Sequence, residues 1–359
     1  VLAFLNEELA ALKKAGLYRE LRLIDPRTHK IFCSNDYLGL SKHPPVIQAA
    51  IDAAKEHGAG AGASRLISGN SPLHEALEKK IAAFERREAA LLFSTGFMAN
   101  LGAITALADE PDTVIIDRLD HASIIDACRL SKAKLQVYPH KDLAALEKTL
   151  KRSAKFRRRL IVTDTVFSMD GDLAPLAGLS RLAKEYDALL MTDDAHATGV
   201  IKFDNPADIV MGTLSKAVGS LGGFVAGSRE LIDYLCNKAR SFIYSTALPP
   251  TVCAASLVAL EIIEAQPELR QKLWANIRLL SPKAESAIMP LVIGDADKTM
   301  ALSAQLFERG FFVSGIRPPT VPAGESRLRI TITAAHTEEE VKCLATLLRE
   351  LTPAAARLT

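Results

Sequence analysis

Met211-Gly-Thr-Leu-Ser-Lys-Ala-Val-Gly219 follows Met191-Thr-Asp-Asp-Ala-His-Ala-Thr-Gly199 at short range, and these two stretches decide how the chain is read. Each begins at the end of an apolar run and then breaks into small and polar residues. Lys216 places an amine among glycine and hydroxyl side chains, and Asp193 is a carboxylate with His196 three residues on. These are the parts that hold pyridoxal 5′-phosphate (PLP) and tune its ring. The lysine makes an imine with the aldehyde, Thr213 or Ser215 holds the phosphate, and Asp193 keeps the pyridine nitrogen protonated. A protonated ring can take up negative charge from a carbon next to nitrogen.

Outward from this pair, short apolar runs recur: 89–93, 113–117, 135–138, 160–163, 188–191 and 209–212. Each has the length of a buried strand, and helical periodicity over 142–151 and 176–186 separates several of them. The alternation predicts an α/β domain with a mostly parallel central sheet flanked by helices. Ligands of such sheets bind beyond the carboxyl ends of the strands. Thr95-Gly-Phe97, His121, Ser168, Asp193 and Lys216 all fall at or just after such a run, which predicts a shared pocket. Pro249-Pro250 breaks the pattern ahead of a helix over 251–265. Strand-like runs at 288–293, 311–313 and 326–332, with helices over 299–309 and 337–351, then predict a smaller α+β domain. The expected organisation is an N-terminal helix and extended segment (1–40), a large domain (41–247) and a small C-terminal domain (248–359).

The bulk properties narrow the classes. A chain of 359 residues that is 48% apolar can fill a core of this size. A net charge of +2 without an extended basic arm argues against nucleic acid, and Arg157-Arg-Arg159 reads as a solvated strand entry. Cys33, Cys128, Cys236, Cys253 and Cys343 are scattered, without CxxC pairs, so neither a disulfide framework nor a metal site is expected. A reducing cytoplasm is the expected compartment. No apolar run has the length of a membrane span. The start, residues 2–14, reads as an amphipathic helix interrupted by acidic residues rather than as a signal peptide.

Five motifs occur in order: Ser34-Asn-Asp-Tyr-Leu-Gly-Leu40, Phe167-Ser-Met-Asp-Gly-Asp172, Asp193-Asp-Ala-His196, Thr213-Leu-Ser-Lys216 and Tyr244-Ser-Thr-Ala-Leu-Pro-Pro250. Together they resemble the α-oxoamine synthases, PLP-dependent transferases of fold type I, over about residues 17–336. The resemblance implies that Lys216 binds PLP and shuttles a proton, that Asp193 meets the ring nitrogen and that His196 meets the phenolic oxygen. It implies that His121 stacks on the ring and that Ser168 faces the ring oxygen. Thr95, Gly96 and Phe97 offer the phosphate a helix N-terminus, with Thr213 beside them and Thr246 reaching in from a partner subunit. Arg329, helped by Asn35, clamps the amino-acid carboxylate. The implied assembly is a homodimer with shared active sites, and the substrates are an amino acid and an acyl-CoA.

Ile316-Arg-Pro-Pro-Thr-Val-Pro-Ala-Gly324 with Arg327-Leu-Arg-Ile-Thr331 resembles the biotin-pathway member, which joins L-alanine to a pimeloyl thioester of CoA or a carrier protein. Arg317 and Arg19 are then candidates for the distal carboxylate. His121-Ala-Ser-Ile-Ile-Asp126 and Trp274-Ala-Asn276 resemble instead the member that joins glycine to acetyl-CoA, and a plain aminotransferase shares the aspartate and lysine. The chain departs from the family in three places. Gly58-Ala-Gly-Ala-Gly-Ala-Ser-Arg65 carries alanines where more glycine and serine is usual. The links over 200–208 and 279–288 look too short for the elements they join, as though residues were missing there.

Overall fold

The computed structural model describes residues 2–352. After an N-terminal helix, Phe4–Lys14, the extended segment contributes a two-residue strand, β1 (Lys30–Ile31). Seven strands follow: β2 (Ala89–Phe93), β3 (Thr113–Asp117), β4 (Lys134–Tyr138), β5 (Arg159–Asp164), β6 (Leu189–Asp193), β7 (Ile209–Thr213) and β8 (Gly223–Gly227). They form one sheet in the order β2-β8-β7-β6-β5-β3-β4. The run from β7 to β4 is parallel, while β8 is antiparallel to both its neighbours, β2 and β7. The sequence pattern contains the other six strands within a residue or two. It misses β8, because Gly-Phe-Val-Ala-Gly is bounded by glycines and has only three apolar side chains to signal a strand.

Most of these strands are buried along their whole length because helices cover both faces. Along β3, Val114 and Ile116 join Ala99, Ala103 and Ile124 in one core, and Ile115 joins Leu146, Leu150 and Leu179 in another. Local chemistry sets the helix starts. Asp142 and Ser228 accept from backbone amides in the first turns of Leu143–Arg152 and Arg229–Lys238, and Thr337 closes a full capping box with Glu340.

Beyond the helix Pro250–Ala265 come β9 (Ile288–Gly294), β10 (Phe311–Phe312), β11 (Ser314–Ile316) and β12 (Ser326–Thr331). β10 pairs in parallel with β1, and β11-β12-β9 is an antiparallel sheet. Leu328 and Ile330 of β12 share a core with Phe32, Leu38 and Leu40 from the N-terminal segment. The segment carrying Asn35 and Tyr37 is thereby fixed against the strand carrying Arg329.

One sequence expectation looks different in three dimensions. The N-terminal helix forms, but none of its residues is buried, and Phe4, Leu5, Leu9 and Leu12 face outward. The two short links each border a cavity. One of about 410 Å³ lies beside Ile201, Phe203, Phe84 and Glu85, and one of about 510 Å³ beside Lys283, Glu285 and Arg327. Among the described residues no helix is long and apolar enough to cross a membrane.

Candidate active site

β5, β6 and β7 end side by side, and the residues at and just past those ends line one cavity of about 210 Å³. Thr95, Gly96, Phe97, His121, Ser168, Asp193, His196, Thr213 and Lys216 all lie on its wall. Nine residues expected from sequence to serve one cofactor are thus brought together.

Lys216 Nζ is 2.8 Å from His196 Nε2, and His196 Nδ1 is 2.5 Å from the hydroxyl of Tyr37. Burial drives the His196 imidazole well below its usual range, and the charges of Lys216 and Arg329 push it the same way. A neutral His196 follows, between an amine and a phenol. Burial also pulls the Lys216 amine down to about 8, against an opposing pull from Asp193. Lys216 is therefore far closer to losing its proton near neutral pH than a surface lysine.

Asp193 is fixed from two sides. Asn100 Nδ2 donates to one carboxylate oxygen at 2.7 Å and the Ala195 amide to the other at 2.9 Å. Its neighbour Asp194 has a different job. It accepts from Thr165 and Asn205 and, through its carbonyl, from Thr198, which ties the turn after β6. His121 both lines the cavity and caps the helix Ala122–Ser131, its Nδ1 accepting from the Ser123 amide at 3.2 Å. Burial lowers its pKa.

At the other end of the cavity, Thr95 caps the helix Gly96–Leu107 by accepting from the Met98 amide. The first amides of that helix have no partner within the helix and open toward the cavity, a site suited to an anion. Thr213 donates to the Gly222 carbonyl at 2.8 Å and shares a 2.8 Å bond with Ser215, so one of these hydroxyls must turn to meet a phosphate. β8 passes directly beneath this corner. A Cβ on Gly223 would stand 2.6 Å from the Gly96 amide nitrogen and from the Thr95 carbonyl. Gly223→Ala is therefore expected to displace the Thr95–Gly96 turn, costing about 1–3 kcal/mol of stability and weakening PLP binding. Thermal melts with and without PLP check this, and the stabilisation by PLP should shrink in the variant.

Arg329 and Arg327 alternate along β12, and both are buried, at 6% and 3% exposed, which excludes a solvated face for either. Arg327 is neutralised by Asp170 and Glu325. Arg329 donates to the Ser168 carbonyl, Asn35 Oδ1 and Thr331 Oγ1 at 2.6, 3.2 and 3.1 Å, but has no carboxylate partner among the described residues. A buried cation held by neutral acceptors alone is costly unless a ligand supplies the anion.

Thr246 is not part of this cavity. It bridges to Ser64 and lines a separate crevice with Arg65 and His74. Arg19 and Arg317 lie together on another cavity, of about 580 Å³, beside β11. Sequence reasoning did not single out Tyr37, Asn100 or Asp164. Tyr37 lies inside the Ser34–Leu40 motif, and an asparagine amid Gly-Phe-Met-Ala-Asn-Leu-Gly is a polar residue on an apolar helix that could have been noticed. Asp164 ends its strand just as Asp193 does.

The residues suit PLP: an amine near its free-base range, a fixed carboxylate in the same cavity, and a helix N-terminus at the phosphate end. Comparison with known proteins agrees. The family model for aminotransferase class I and II matches residues 30–348. The 8-amino-7-oxononanoate synthase of Citrifermentans bemidjiense is 48% identical, covering 96% of this chain and 97% of its own. That of Geobacter metallireducens is 47% identical, covering 93% and 94%. The first alignment runs over 378 residues, more than the 359 of this chain, so that relative has residues with no counterpart here. A variant serine palmitoyltransferase from S. paucimobilis with a bound PLP–myriocin aldimine superposes with a TM-score of 0.90 at 28% identity, covering 98% of this chain and 97% of that one. The chain belongs to the α-oxoamine synthases, PLP-dependent enzymes of the class I and II aminotransferase family.

Proposed function

We propose that this enzyme joins L-alanine to a pimeloyl thioester, of CoA or a carrier protein, with loss of CO₂ to give 8-amino-7-oxononanoate. The observation that carries the choice of substrates is the placement of the arginines. Arg329 on β12 pairs in register with Ser314 of β11, and Ser314 lines the cavity that also holds Arg19 and Arg317. A carboxylate clamp thus lies beside a cavity that offers two further guanidiniums, as an acyl chain ending in a second carboxylate requires. Arg317 is steadied by the Tyr18 carbonyl at 2.8 Å and Arg19 by Thr320 at 3.1 Å. An acetyl group would use neither.

Bound PLP supplies the electron sink that lets the amino-acid Cα lose a proton and attack the thioester. The chain's own residues do the rest. Lys216 holds the cofactor and, as the free amine, takes and returns the proton at Cα. His196 and Tyr37 form a neutral relay beside that amine. Asp193, immobilised by Asn100 and Ala195, keeps the ring nitrogen cationic, and Arg329 orients the carboxylate. Because Lys216 must be unprotonated to accept a proton, turnover is expected to rise with pH and level off above about 8. A profile of kcat against pH checks this.

A homodimer fits Thr246, which stands outside the Lys216 cavity of its own chain, as a residue lent to a second copy would. Leu66, Ile67 and Tyr244 are exposed in the segments flanking the Ser64–Thr246 bridge, and Phe97 at the cavity mouth is also exposed. All five cysteines are free, in keeping with a reducing cytoplasm.

Release of CoA thiol by PLP-loaded protein tests the substrates directly. Faster release with L-alanine and pimeloyl-CoA than with glycine and acetyl-CoA is expected. The reverse preference would move the enzyme to the glycine-using branch, and release with neither pair would overturn the reading.

A further inference from the structure

On the wall of the cofactor cavity, both carboxyl oxygens of Asp164 are buried and neither meets a side-chain partner among the described residues. It ends β5 directly across from Asp193 at the end of β6, the two being register partners in a parallel pair. Register partners point to the same side of a sheet about 5 Å apart. The nearby carboxylates are all satisfied. Asp193 accepts from Asn100 and Ala195, and Asp120 accepts from the Asp164 and Asp117 amides at 2.9 and 2.8 Å. Asp120 thus serves the strand ends, whereas Asp164 has no side-chain partner among the described residues.

The groups that act on Asp164 are Asp193 from β6, Asp120 from the turn before His121, the His121 backbone, and Lys216 from the turn after β7. Burial, then Asp193 and Asp120, favour its protonated form, and Lys216 and a hydrogen bond from the His121 backbone oppose them. A carboxyl held this way is biased toward its neutral form, and a further positive charge beside it favours ionisation. The ring nitrogen that Asp193 receives is such a charge.

We propose that Asp164 is a second carboxyl at the ring-nitrogen end of the PLP site, protonated in the cofactor-free chain and ionised when the cationic ring is set against Asp193. The exchange is balanced: the O–H bond of Asp164 breaks, its proton goes to solvent, and its carboxylate adds to the negative potential at the ring. No redox partner or co-reactant is needed. Asp164 acts through that potential, so it is a positioning residue. The inference depends on PLP and not on the choice of acyl substrate.

Titration calorimetry of PLP into cofactor-free enzyme, in buffers of different ionisation enthalpy, counts the protons released. Wild type is expected to release about one more than Asp164→Asn. The variant should also bind PLP about tenfold more weakly, with a flatter dependence on pH. Without PLP, wild type should lose more stability than the variant as pH rises above the ordinary aspartate range, since Asp164 then ionises in the unfolded chain while the fold keeps it protonated. Equal proton counts and affinities would overturn the proposal. So would weaker binding with an unchanged proton count, which marks a structural role. Infrared difference spectra of the unmodified enzyme, ¹³C-labelled at aspartate, cover the case in which Asp164→Asn does not fold. Addition of PLP should remove a protonated-carboxyl band, and its persistence would equally overturn the proposal.

Discussion

Lys216→Ala is expected to lower kcat by about 10⁴-fold or more while leaving the fold intact. The side chain lies on the cavity wall, and its one recorded hydrogen bond is to His196, so little packing depends on it. On the proposed mechanism its removal takes away the covalent link to PLP and the base at Cα together. A neighbour cannot replace it. His196 stands closest, but burial holds its imidazole well below the usual range, so it is a weak base at that position. CoA-thiol release measures the loss, and circular dichroism shows that the fold persists. Residual turnover within tenfold of wild type would mean that Lys216 is not the proton carrier.

Arg329→Lys is expected to raise KM for the amino acid about 100-fold, with a smaller effect on KM for the thioester. The guanidinium is positioned by three acceptors on three segments, the Ser168 carbonyl, Asn35 and Thr331. An ammonium retains the charge but cannot span all three and still present a planar face to a carboxylate. The same change at Arg327 separates the two roles. Arg327 is neutralised by Asp170 and Glu325, so Arg327→Lys should alter stability more than KM. Equal KM effects at the two positions would remove Arg329 from substrate recognition.

Much of this site could be read from the chain because its residues sit at strand ends. A buried parallel strand leaves an apolar run in the sequence, and the polar residue that ends the run is where the sheet meets its ligand. Asp193, Thr213 and Thr95 all show this signature. The residues missed are those whose meaning comes from another element. Tyr37 matters because the N-terminal segment packs on β12 and reaches His196 across 159 positions, and Asn100 because its helix faces the end of β6. Asp164 had the same signature as Asp193, but a carboxyl's lack of partners cannot be seen in a sequence. The exposed N-terminal helix was also only half legible: periodicity predicts an apolar face but not what covers it.

The antiparallel strand β8 also governs the order in which the molecule is assembled. The phosphate end of the site is built from the turn after β2 and the end of β7, which are not adjacent in the sheet; β8 lies between them and pairs with both. Until β8 is inserted, the sheet has an open seam where Thr95 and Thr213 belong to separate halves. A partly folded chain with all its helices formed would therefore carry Lys216 and Asp193 on its parallel half but lack the proposed phosphate corner. Full affinity for PLP is thus expected only of chains that have closed the seam.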